Sequence, residues 1–152
     1  MKKNTAEVIH MEHRENWTQQ GIAELVAAQR ALFATNQTLD VDWRLAQLKK
    51  LKHAILSHRA ALEVALRADL GRTVEEAYML DIGTSIAEIN ETIASLRRWA
   101  RPETHWSGLM CFPSAVTKVY KLPYGVSLIV SPFNFPVLLS LGVLTAAIAG
   151  GN

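Results

Sequence analysis

From Leu122 to Asn152 the chain carries no charged side chain. A stretch of that length either crosses a bilayer or is buried inside a protein. Pro132, Asn134 and Pro136 interrupt it, and only Val137 to Ala149 reads as continuous helix. Those thirteen residues fall short of the roughly 20 needed to span a bilayer. The pattern therefore predicts a buried strand followed by a buried helix.

The rest of the composition fits a globular domain. Apolar residues make up 49% and charged residues 20% of 152 residues, enough for one hydrophobic core. The formal net charge of +2 is too small to indicate nucleic acid or anionic lipid as a partner. One cysteine, Cys111, allows no internal disulfide, and the polar opening MKKNTAEVIHMEHREN has no apolar run of a signal peptide. A cytoplasmic location is expected. His10, His13, His53, His58 and His105 form no metal-ligand spacing with Cys111, so no metal site is predicted.

Residues 1–16 are polar and irregular and predict a loose terminus. A helix is expected from about Thr18 to Ala34, with Ile22, Leu25, Val26, Leu32 and Phe33 near one stripe. Asp40 is placed to cap a second helical segment. Leu45, Leu48, Leu51, Ile55, Leu62, Leu66 and Leu70 follow at helical spacing, with a bend expected near Ser57 and His58. Gly71 suits a left-handed cap. Thr73 and Glu76 have capping-box spacing. Behind them Met79, Ile82, Ile86, Ile89, Ile93 and Leu96 form an apolar repeat that predicts one uninterrupted, core-facing helix before Pro102.

After Pro102 the character changes. Glu103 to Pro113 reads as a loop, Val116 to Lys121 as an exposed strand, and Pro123-Tyr124-Gly125 as a turn. Val126 to Val130 fits a strand buried on both faces. Pro136 suits the first turn of the next helix, because its missing N–H costs nothing there. Gly150 and Gly151 end that helix. A buried parallel strand and its crossover helix call for a second parallel strand. None follows, so an incomplete domain is expected.

Chemistry concentrates at Ser131-Pro132-Phe133-Asn134-Phe135-Pro136. Ligands of parallel α/β sheets bind at the carboxyl ends of strands. A side-chain amide held between two prolines can donate to a developing oxyanion. Asparagine is also a common turn residue, and bonding of Asn134 to its own backbone is the plainer reading of spacing alone. Phe133 and Phe135 likewise fit simple packing.

The stretch LPYGVSLIVSPFNFP, Leu122 to Pro136, resembles the aldehyde dehydrogenase pattern P-x-G-V-x-x-x-I-x-P-W-N-x-P. AAIAGGN, Ala146 to Asn152, is similar to that family's A-A-L-A-x-G-N. Ala46-Gln47-Leu48-Lys49-Lys50-Leu51-Lys52 and Ala68-Asp69-Leu70-Gly71-Arg72 resemble the family's amino-terminal helices, the short amino terminus and the stretch Arg44 to Lys49 resemble its class 3-like branch, and the likeness covers roughly Gly21 to Asn152. It implies an α/β fold: leading helices plus the first strands of a Rossmann-like cofactor-binding domain, occupying residues 17–152 and incomplete.

The resemblance also implies a chemistry. A cysteine thiolate attacks an aldehyde, hydride passes to NAD or NADP, and a glutamate activates the water that releases the acid. Asn134 matches the asparagine that holds the substrate oxygen. Val130, Ser131, Pro132 and Phe133, with Asn134, match the segment along the cofactor. Phe133 stands where tryptophan is common, keeping a ring and losing an indole donor. The family's lysine, glutamate and cysteine motifs would all lie beyond Asn152, and Cys111 precedes the asparagine motif, so it cannot be that nucleophile. The implied substrates are aliphatic or aromatic aldehydes and the implied assembly is a homo-oligomer. An inert remnant or a helical interaction module is the other reading.

Overall fold

The computed structural model describes residues 18–106, 108 and 116–152. The expected loose terminus and Cys111 lie outside these residues. So does most of the stretch between Trp106 and Val116.

The first half is a layer of helices: α1 Gln19–Ala34, α2 Val41–Ser57, α3 Arg59–Leu70, the short α4 Val74–Ala77 and α5 Gly83–Trp99. Local chemistry sets their ends. The Thr18 hydroxyl accepts from the Gly21 amide, and the Asp40 carboxylate accepts from the Asp42 and Trp43 amides. His58 breaks the second segment where the bend was expected. Gly71 caps α3 at φ 67°, a conformation that costs glycine little. Thr73 and Glu76 complete both halves of their capping box.

The expected single helix from Met79 to Leu96 is interrupted. Tyr78–Ile82 forms a π turn between α4 and α5. Widening one turn rotates everything after it relative to the helix before. Met79 is consequently 72% exposed, off the apolar stripe, while Ile82 and Asp81 are both fully buried. Gly83 permits the turn, since a Cβ there would lie 2.9 Å from the Tyr78 carbonyl oxygen and ring.

The core runs through the helical layer: Leu45, Leu48, Ile55, Leu66, Ala77, Ile82, Ile89 and Leu96, joined by Val137 from the final helix. The stripe on α1 contributes nothing fully buried; Ile22, Leu25 and Leu32 remain exposed.

The second half departs further from expectation. Glu103–His105 is a strand, β1, rather than loop, and pairs antiparallel with β2, Thr117–Val119. Glu103 lies opposite Val119 and His105 opposite Thr117. The expected buried strand Val126–Val130 is neither paired nor buried: Leu128 is 90% and Val130 85% exposed. A strand acquires both its hydrogen bonds and its apolar cover from neighbours. Among the described residues no strand lies alongside this one.

The final helix, α6, spans Pro136–Gly150 with proline in its first turn. It packs chiefly on α5 and also on α2. Among the described residues no helix is long and apolar enough to cross a membrane.

Candidate functional site

The candidate turn, Ser131 to Pro136, joins the unpaired extended segment to α6. It is held by side chains from the helical layer. α6 has no side-chain cap of its own at Phe135. Pro136 brings no N–H, but the Val137 and Leu138 amides would otherwise be orphaned. Both donate to Oδ1 of Asp81, at 3.1 and 2.9 Å. A carboxylate 56 residues away thus does the work of a local cap and faces the positive end of the helix dipole.

Asp81 is fully buried, and a buried carboxylate is stable only with partners. Its Oδ2 meets Nη1 of Arg72 in an ion pair whose arginine side chain is 11% exposed. The same guanidinium donates through Nη2 to the Asn134 carbonyl oxygen at 2.8 Å and lies 4.7 Å from the centre of the Phe135 ring. The Ser131 hydroxyl donates to the Leu139 carbonyl at 3.2 Å, closing the turn onto the helix. Proline at 132 and 136 stiffens what these bonds bracket.

Within that bracket the sequence-predicted residues divide. The Asn134 backbone is tied down, but its side chain is exposed and, among the described residues, its amide has no bonded partner. It does not bond its own backbone as the plainer reading had it. Val130 and Phe133 project into solvent, Phe133 at 88% exposure, and Ser131 is partly covered. Arg72 and Asp81 were not anticipated. The available signal was a carboxylate beside Ile82 in a core-facing repeat, where only a paired charge can sit.

The other end of α6 is handled in mirror fashion. Arg44 donates to the carbonyls of Ala149 and Leu39, placing a cation at the negative end of the dipole. Burial lowers its pKa and Asp40 opposes the shift. Gly151 sits at φ 88°, where a Cβ would lie 3.0 Å from the Thr38 carbonyl oxygen. The Asn152 side chain then accepts from the Tyr124 and Gly125 amides at 2.7 and 3.0 Å. The extended segment is therefore anchored at its start by Asn152 and at its end by Arg72. A cavity of about 570 Å³ lies between α5 and the end of α6, lined by Glu88, Trp99, Lys121 and Asn152, away from Asn134.

Residues 3–152 match the aldehyde dehydrogenase family model, and the chain belongs to that family. It is 41% identical over 125 residues to 4,4'-diaponeurosporen-aldehyde dehydrogenase of Staphylococcus aureus, covering 81% of this chain and 27% of that protein. It is 36% identical over 131 residues to aldehyde dehydrogenase family 3 member B1 of Bos taurus, covering 86% of this chain and 28% of that one. The solved substrate-bound state of Staphylococcus aureus AldH superposes with a TM-score of 0.83 at 37% identity, over 86% of this chain and 28% of the other. The chain spans about a quarter of the length of these relatives, corresponding to their amino-terminal part.

Proposed function

We propose that this segment supplies the oxyanion-binding asparagine, Asn134, and part of the cofactor wall of an enzyme that oxidises aliphatic or aromatic aldehydes to acids with NAD or NADP. The carrying observation is the exposed, unengaged Asn134 amide on a backbone fixed from behind by Arg72. A donor whose backbone is fixed beforehand strengthens its bond to oxygen as negative charge develops there, with only its own side chain left to orient. Membership of a family whose curated relatives are named aldehyde dehydrogenases supports the choice of reaction.

The residues fit the implied dinucleotide in one respect. Phe133 leaves its ring uncovered beside the turn, an apolar surface that suits a nicotinamide ring. When bound, the cofactor supplies the hydride acceptor. This chain's residues bind and orient: Val130, Ser131, Pro132 and Phe133 form one wall, and Asn134 holds the substrate oxygen. A cytoplasmic location and a homo-oligomeric assembly complete the proposal.

The 152-residue chain should show no aldehyde-dependent formation of NADH or NADPH, because neither the nucleophile nor the water-activating glutamate of this chemistry is assigned to it. Residues 18–152 should support turnover when they replace the matching segment of the Staphylococcus aureus relative. Asn134→Ala in that graft should lower kcat by about 10²–10³. Turnover by the isolated chain, or an active graft indifferent to Asn134→Ala, overturns the assignment.

A further inference from the structure

The Arg72–Asp81 pair has no part in the chemistry described so far, yet it makes four contacts with the candidate turn and the start of α6. Asp81 takes the Val137 and Leu138 amides, and Arg72 takes the Asn134 carbonyl and covers the Phe135 ring. We infer that Arg72 and Asp81 are positioning residues that preset the Asn134 amide for the developing oxyanion. This rests on the reading of Asn134 given above.

Three features carry the inference. First, the pair grips both sides of Pro136. One grip is a carbonyl two residues before it and the other is the amides of the two residues after it. The peptide of Asn134 therefore has little freedom to swing, while its side chain is left free to donate. Second, the fork of the guanidinium matters. One Nη reaches Asp81 and the other reaches the Asn134 carbonyl, two directions fixed by one plane, which lysine would have to serve from a single, freely rotating ammonium. Third, the charges cancel. A lone buried carboxylate beside the turn would oppose negative charge on the substrate oxygen, and Arg72 neutralises it. A pair present only to stabilise the core needs no hydrogen bond to the residue that carries the chemistry.

The π turn gives the device its placement. It brings Asp81 to the buried face together with Ile82, where an uninterrupted helix would have spaced the apolar repeat around it. The insertion turns a residue of the helical layer toward the start of α6.

Two measurements test this. In the 152-residue chain, hydrogen exchange resolved to single amides should show Val137 and Leu138 losing at least tenfold protection in Asp81→Ala. Thr145, in the same helix, should change less than twofold. Asp81→Asn keeps an acceptor oxygen and should recover most of the protection. Unchanged exchange at Val137 and Leu138, or a loss spread evenly along α6, overturns the positioning role.

In the active graft, Arg72→Ala and Arg72→Lys should each lower kcat by about 10–100-fold with KM for cofactor and aldehyde within threefold. Arg72→Ala should add less than threefold to the loss already caused by Asn134→Ala. Full additivity of the two, or full activity in Arg72→Lys, overturns the inference. If Asn134→Ala leaves kcat unchanged while the exchange result holds, the oxyanion assignment fails and the capping of α6 by Asp81 stands.

Discussion

The helical layer is amphipathic and the segment from Val126 to Val130 is apolar at every position but Ser127, yet the first buries an apolar stripe and the second leaves Leu128 and Val130 in water. The difference lies in who supplies the hydrogen bonds. Each helix closes its own backbone ladder and needs neighbours only for its apolar stripe. A strand needs neighbours for both. The short pair β1 and β2 makes the same point from the other side. Glu103–His105 and Thr117–Val119 are wholly exposed and mostly polar, but they form a sheet because each has the other. Pairing, not hydrophobicity, decides which extended segment becomes a strand here.

The comparison predicts its largest effect in the core. Leu48 is fully buried between helices, so Leu48→Ala should cost about 2–5 kcal/mol in urea unfolding of the 152-residue chain. Leu128→Ala should change the same unfolding free energy by less than about 0.5 kcal/mol. If the rest of the fold in the active graft pairs this segment as a strand, Leu128→Ala should there approach the cost of the core variant. A large effect of Leu128→Ala in the chain alone would break the contrast.

What was legible in the residues follows the same division. Asp40, Gly71 and the Thr73–Glu76 box announce helix ends because their capping is settled within four residues, and Pro136 does so because its missing N–H costs nothing in a first turn. The Ser131 to Pro136 turn was legible because prolines and a family motif mark it. The π turn was not, since the apolar repeat runs through it unbroken in sequence and only Gly83 marks its end. Nor were Arg72 and Asp81, whose partners are 62 and 56 residues away. Strand β1 was hidden because its pairing with β2 leaves no apolar alternation to read.

A smaller test asks how self-sufficient the helices are. Thr73→Ala removes one half of the capping box that starts α4 and should cost about 0.5–2 kcal/mol. The effect should be the same in the isolated chain and in the graft, because the cap draws on nothing beyond Glu76. Unequal losses would show that the helical layer also leans on the rest of the fold.

The smallest effect concerns the one sheet that does form. Lys121 Nζ sits 2.6 Å from Glu103 Oε1 and 3.2 Å from the Trp99 carbonyl, bridging the end of α5 to β1. The hydrogen bond from Lys121 and then its charge hold the Glu103 carboxyl below the usual glutamate range, with His105 a minor aid. A depressed folded-state pKa means that the bridge contributes fully above the unfolded value of about 4.3 and is lost as pH falls through the lower folded one. Amide protection of β1 and β2 should therefore exceed that of Glu103→Gln by no more than a few-fold at pH 7, and the two should converge as pH falls well below the usual glutamate range. Both groups are well exposed, so 1 M salt should erase most of the difference at pH 7. The bond from Lys121 to the Trp99 carbonyl does not involve the Glu103 carboxylate, so Lys121→Met should lower protection at low pH as well, where Glu103→Gln no longer does. Convergence of all three proteins at low pH would mean that the carboxylate alone ties this strand pair to the helical layer.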